Sequence, residues 1–361
     1  MKTKIIIITA LIISSCLINC SCVSKASIFE KVEIPGLENN RKFITSLCYT
    51  NENELIFSKG SRKEVIEGPY IDTDSIIRYD LKEKKITDKF KINKENYICN
   101  IVPYNEGVVY SSYELKENTD TYEWKISYLD KKEKKLLDKG ICTSYDRIPQ
   151  PILIKEVPLY LFEDIAAENE TIKHYSCGVK QISGMQAEII MQADDFSLLE
   201  TTLATNGKEY CFLAIRHQKP YCYIGDLEGI KHNFDIGGRI GSFAINKDYA
   251  AISIETGQTD SAEGVYSLVT FDLKNGRTEK YTTEEFLYRL KGGPGNHCLC
   301  VDWTFTPYEV ILKNGRLEKL SMPEKFSIEP AISFYPLNEN TYLAQFLLEG
   351  DDIAYYTVQM E

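Results

Sequence analysis

Four histidines, His174, His217, His232 and His297, are the side chains best suited to move a proton or hold a metal near neutral pH, yet no two stand at HxH or HxxxH spacing. Spread over separate stretches, they read as individually satisfied histidines. Asp72-Thr73-Asp74 has the alternating carboxylates of a calcium loop but lacks the glycine and the later glutamate that would complete one, so it reads as a solvated loop. Gly292-Gly293-Pro294-Gly295 lacks the Lys-Ser/Thr of a phosphate loop and reads as a turn. No GxSxG occurs, which excludes a serine hydrolase built on a nucleophile elbow. Trp124, Trp303 and the 24 tyrosines have faces for stacking on sugar rings, but most are expected to pack between strands. No catalytic residue, metal ligand or cofactor is assigned, with a divalent cation at one end of a channel left open.

Eight cysteines follow residue 26: Cys48, Cys99, Cys142, Cys177, Cys211, Cys222, Cys298 and Cys300. Their even number permits disulfides. Their scatter over separate strands suits buried free thiols better, and the absence of CxxC pairs argues against zinc. The whole chain carries a net charge of −11, and −14 on side chains once Lys2, Lys4 and Lys25 are removed. Nucleic acid is therefore not an expected partner, because phosphate binding needs clustered basic charge.

These residues are carried on a repeated unit, clearest from Tyr266 to Thr283. Val269 and Phe271 alternate with Leu268 and Thr270 as a half-buried strand, Lys274-Asn275-Gly276-Arg277 reverses the chain, and a polar strand leads away. The hairpin recurs from Ser75, Trp124, His174, Tyr221 and Tyr308, with a half-copy from Ile353, at intervals of roughly 40 to 50 residues, the length of a propeller blade. Two strands precede each hairpin, for example Leu198 to Ala204 and Glu209 to Arg216 in the fourth unit and Phe286 to Leu290 and Cys298 to Thr304 in the sixth. The strand Phe29 to Ile34 has no partner nearby, while the last unit has three strands and lacks one. Joining them closes the ring and removes an exposed edge. The expected fold is all-β: a seven-bladed β-propeller of four-stranded antiparallel blades, closed by the N-terminal strand and occupying 27–361 as one domain. The rival is a large two-sheet β protein.

On these repeats the chain resembles the β-propeller superfamily over nearly its whole length after residue 26, and most of all exported bacterial propellers of the TolB-like or lactonase-like kind. No subfamily motif is present: there is no repeated Trp-Asp, no kelch-like series of double glycines and no Asp-box series.

Lys2 and Lys4, the apolar run Ile5 to Ile13 and a small-residue and cysteine cluster have the layout of an export signal over 1–26. Ile13-Ser14-Ser15 before Cys16 resembles a lipobox, Leu17-Ile18-Asn19 before Cys20 is the alternative, and ordinary cleavage after Ala26 is the third reading. The chain is thus expected to be exported, lipidated on Cys16 or Cys20, tethered to the membrane surface on its extracytoplasmic side, and monomeric.

A propeller ring also divides the charge. The connections between second and third strands at Ser58 to Ser75, Ser111 to Glu123, Glu163 to Lys173 and Glu255 to Gly264 read as long loops with fifteen acidic against five basic residues. Asp72, Asp74, Asp120, Asp164 and Asp260 are their candidate capture residues. The hairpin turns on the other face are basic, with Lys82, Lys84, Lys85, Lys131, Lys132, Lys134, Lys135, Lys274, Arg277, Lys313 and Arg316. Arg147, Arg239, Arg289 and Glu329 fall at the starts of innermost strands and are the candidate channel-mouth residues. The function expected is a surface binding or interaction module for a peptide, glycan or protein. A propeller enzyme of lactonase, lyase or glycosidase type is the alternative, and would gather carboxylates or histidines at the channel mouth.

Overall fold

The computed structural model describes residues 28–37, 44–65, 68–95, 98–116, 121–168, 171–193, 196–258, 264–321, 331–347 and 353–360. The predicted signal with Cys16 and Cys20 lies outside them, as do Asp120, Asp260 and Glu329.

Seven antiparallel sheets form the seven blades, and within each the strands pair in chain order from the inside outwards. Blades one to six occupy 44–95, 98–142, 152–193, 196–235, 239–283 and 288–319. Blade seven takes three strands from the C-terminal end, Ala331–Pro336, Thr341–Leu347 and Ile353–Gln359, and its outermost strand is Ile28–Val32, which runs antiparallel to the last of them with Phe29 opposite Val358. The Phe29 ring meets Phe346 and Tyr356 edge-on at 5.9 and 6.4 Å, so the closure is packed as well as hydrogen-bonded.

The period-2 patterning explains why the core is divided. The second strand of each blade buries residues on both faces, and the buried apolar side chains fall into seven clusters, each spanning two neighbouring blades. Between blades two and three, Trp124 is fully buried and donates from Nε1 to the Glu163 carbonyl at 2.9 Å. The eight cysteines are free thiols, six of them fully buried. Burial pushes the Cys48 thiol up to about 11 and those of Cys99 and Cys142 up to about 12, which keeps them protonated and unreactive.

Turn chemistry repeats around the ring. Asn51, Asn206 and Asn246 each accept two backbone N–H groups on Oδ1 in the turn after an innermost strand, and Asp130 and Asp272 do the same in the outer hairpins. The amide of Asn206 also donates to Asn246 O and that of Asn246 to Asn296 O, both at 2.9 Å, tying blade four to five and five to six. The glycine run of blade six belongs to this belt. A Cβ on Gly292 would stand 2.1 Å from Ile245 O and one on Gly295 1.8 Å from Glu339 O, so the run exists for close approach to both neighbouring blades.

The predicted long loops are mostly not loops. Strand pairing in blade one continues from Glu54–Asp80 out to Val65–Gly68, and blades two, three and five extend their middle strands in the same way, the last to Gln258–Gly264. These segments are thus largely two-stranded β-hairpins, and a strand rich in charged residues loses the apolar alternation that would mark it in the sequence. The inner strand of blade six is also displaced, to Tyr288–Lys291.

Candidate functional site

The innermost strands of all seven blades enclose a central channel with a cavity volume of about 730 Å³. Its wall runs from Tyr49 of blade one through Asn100, Leu153, Thr205, Phe243 and Lys291 to Tyr335 of blade seven. In blade four the lining strand is broken. Phe196–Leu198 pairs with the second strand, the chain leaves the sheet, and Ala204–Thr205 rejoins it. The gap is held by blade three: Thr201 is fully buried, its N–H donates to Asp146 O at 3.0 Å, and its hydroxyl reaches Asp146 O at 3.0 Å and Ile148 O at 2.5 Å. Freed from the sheet, Glu200 lines the channel, its Oε2 accepting from Thr202 Oγ1 at 3.5 Å.

Blade six supplies the opposite charge. Arg289 adopts φ of +52° inside a short strand whose register shifts between Tyr288 and Lys291. Arg289 and Lys291 both line the channel, Leu290 between them is buried, and the Arg289 guanidinium sits 5.4 Å from the centre of the Phe305 ring. Among the described residues the Lys291 ammonium makes no hydrogen bond or ion pair.

Glu200 and Lys291 feel each other across this space. Burial pushes the Glu200 carboxyl above its usual range, opposed by the Thr202 hydroxyl, reinforced by Asp146 and opposed again by the Lys291 charge. Burial holds the Lys291 amine below the usual lysine range, and the carboxylate of Glu200 pulls it back. By surface area Lys291 is exposed, within the channel that it lines.

A second cavity of about 500 Å³ lies between blades four and five. It is walled largely by Leu199, Leu213, Ile215, Pro220, Ile240 and Phe243. Glu200, Gly241, Ser242 and Phe243 line both cavities, so the two adjoin along these residues. Gly241 has no room for a side chain, since a Cβ would come within 2.4 Å of the Phe286 ring.

Of the three candidate channel-mouth residues that are described, Arg289 lines the channel. Arg147 pairs with the buried Glu163 at 2.9 Å and anchors the turn ahead of blade three, and Arg239 borders the side cavity, 3.4 Å from Glu255. Of the acidic candidates, Asp72 and Asp74 stand on the strand Gly68–Asp80, and Asp164 accepts the Ile141 N–H at 2.9 Å, a bond joining blades two and three. The structure does not bring these residues together. His297 is 2.6 Å from the buried Glu309 and His232 rests against Phe271, as expected of satisfied histidines. Among the described residues no three His, Cys, Asp or Glu side chains are placed to hold one metal ion. Sequence reading missed Glu200 and Lys291, whose signal was a single acid among leucines and threonines in Leu198-Leu-Glu-Thr-Thr-Leu203 and a second base two residues after Arg289 in Tyr288-Arg-Leu-Lys291.

The protein is a seven-bladed β-propeller with an open, charged channel. No family model matches the chain, and no curated protein matches it in sequence. Among solved structures it is similar to the β-propeller domain of the Trilobed protease from Pyrococcus furiosus, at 13% identity and TM-score 0.51, covering 75% of this chain and 83% of that one. It is also similar to the Pyrococcus horikoshii acylaminoacyl peptidase, at 12% identity and TM-score 0.51, covering 73% of this chain and 46% of the peptidase, so the match spans less than half of that enzyme. A variant of KlHsv2 with loop 6CD replaced by a Gly-Ser linker matches at 8% identity and TM-score 0.50, over 90% and 98% of the two chains. At these identities the likeness is one of fold.

Proposed function

We propose that this chain is an exported, lipid-anchored propeller that works as a binding module and takes a small ligand, or the exposed end of a larger one, in its central channel. The observation that carries the reading is the broken inner strand of blade four, which sets Glu200 in an open channel also lined by Lys291, an ammonium that makes no ion pair among the described residues. Charged groups gathered in a confined space favour a ligand whose own polar groups match them. A thermal-shift screen of amino acids, sugars, nucleotides, carboxylates and inorganic phosphate tests it. At least one class should raise Tm in the wild type and fail to do so in a Glu200→Gln/Lys291→Met double variant; a screen in which none does rejects the channel as the site.

The tether reading draws support from the fold. Ile28 pairs with Gln359, which also pairs with Thr341 just beyond the Asn338–Asn340 turn, so the chain enters blade seven on the face of the hairpin turns. That face carries the basic turns, although Lys131 is paired with Asp88 and Lys274 with Asp248. Lys85 and Arg316 are likewise paired, with Glu83 and Glu318, and a basic side chain of that face would add about 1 kcal/mol of attraction if held close to an anionic surface. Intact mass of the membrane-extracted protein should show a lipidated N-terminal cysteine at position 16 or 20. An unmodified chain beginning elsewhere would overturn the anchor and leave the channel reading untouched.

A further inference from the structure

We infer that the ligand is an apolar α-amino acid bound as its zwitterion, with its ammonium group on Glu200, its carboxylate on Lys291 and its side chain in the cavity between blades four and five. This rests on the channel being the binding site.

Three features converge on this chemistry. The channel wall carries one acid, Glu200, and two bases, Lys291 and Arg289; Lys291 makes no ion pair among the described residues, and the hydrogen bond to Glu200 comes from Thr202. A ligand of one charge satisfies one group and is repelled by the other. A phosphate or dicarboxylate would meet Lys291 but face Glu200, and a diamine the reverse. Only a molecule carrying both signs on neighbouring atoms compensates both partly desolvated charges. The remaining cation nearby, Arg289, is engaged over Phe305 and adds positive potential on the carboxylate side.

The third feature sets the rest of the molecule. Glu200 lines the channel and also the side cavity, so a group held at Glu200 has the apolar walls of Leu199, Leu213, Ile215, Ile240 and Phe243 beside it. At about 500 Å³ this space holds a leucine or phenylalanine side chain with room to spare. The alternative of a stacked sugar fits less well, because the exposed Trp303, at 69% exposure, lies outside the lining of either cavity.

Calorimetric titration of the folded chain with L-phenylalanine, N-acetyl-L-phenylalanine, L-phenylalaninamide and L-aspartate tests the assignment without relying on variants. L-Phenylalanine should bind saturably. Removing its ammonium character by acetylation, or its carboxylate by amidation, should each weaken binding about tenfold or more, since each leaves one protein charge unpaired, and L-aspartate should not bind measurably. In Glu200→Gln the penalty for acetylation should vanish while that for amidation persists, and Lys291→Met should show the reverse. Equal binding of all three phenylalanine compounds, or binding indifferent to both substitutions, overturns the assignment. So does an absence of saturable heat with L-phenylalanine: if a sugar or nucleotide still raises Tm through Glu200 and Lys291, the amino-acid assignment alone falls, and if nothing does, the channel reading falls with it.

Discussion

The innermost strands of blades four and five stand side by side and solve the same problem in opposite ways. In blade five Arg239–Ile245 runs unbroken but for a one-residue irregularity near Gly241, and its residues from Phe243 onward are buried. In blade four the equivalent strand leaves the sheet between Leu198 and Ala204. Leu199 N–H still reaches Leu213 O of the same blade at 3.2 Å, and beyond it the lost ladder bonds are replaced from outside, by Thr201 reaching the turn ahead of blade three. A continuous strand places alternate side chains in the wall and makes a barrier. A broken one turns a charged residue into the channel and opens a cavity behind it, provided a neighbouring blade satisfies the stranded polar groups.

The largest effect should come from disturbing the continuous side. Gly241→Val drives a side chain into Phe286, itself packed on Tyr266 and Tyr288, and should cost about 3 kcal/mol in urea unfolding. A loss below about 1 kcal/mol would mean that the ring moves aside freely and that the wall of blade five is not rigid. On the broken side, Thr201→Val keeps the shape but leaves two carbonyls of blade three without their hydroxyl donor, for a loss of about 2 kcal/mol. The matching change in blade five, Ser242→Ala, removes only the acceptor of the Leu290 N–H and should cost about 1 kcal/mol. If the two losses came out equal, or in reverse order, the break would not depend on blade three.

The smallest effect sharpens the electrostatic side of the comparison. The Glu200 carboxyl is raised in the folded chain, so the native state keeps its proton at pH values where the unfolded chain has lost it. Its contribution to stability is therefore complete below the ordinary carboxylate range and declines as pH rises through the raised value. Glu200→Gln should flatten that part of the pH–stability curve, leaving the slope from Glu163, whose carboxyl burial also raises against the pull of Arg147. Identical curves for variant and wild type, read as urea midpoints from pH 4 to 7, would show that Glu200 is fully solvated.

Much of the architecture was readable from local pattern. The hairpin from Tyr266 to Thr283 became the strands Gly264–Asp272 and Thr278–Thr283, and the orphan segment near Phe29 did find the far end of the chain, because an unpaired strand and a three-stranded sheet each have one edge to satisfy. The recurring Asn turns at Asn51, Asn206 and Asn246 were equally local and would have marked the ends of the inner strands of blades one, four and five. The extended hairpins were misread as loops because strands rich in charged residues carry no apolar alternation. The channel residues were misjudged for a different reason: Arg147 and Arg239 sit where topology puts strand starts, yet each has a carboxylate partner beside it, Glu163 and Glu255.

By itself the sequence determined the number of blades, the order of strands and the way the ring closes, since these follow from alternation, turn residues and the need to leave no open edge. Only the tertiary structure decided that Glu200 leaves its sheet and lines one channel with Lys291. That outcome depends on Thr201 finding the Asp146 and Ile148 carbonyls more than fifty residues away, and a hydrogen bond between separate blades leaves no trace in the periodicity of either one.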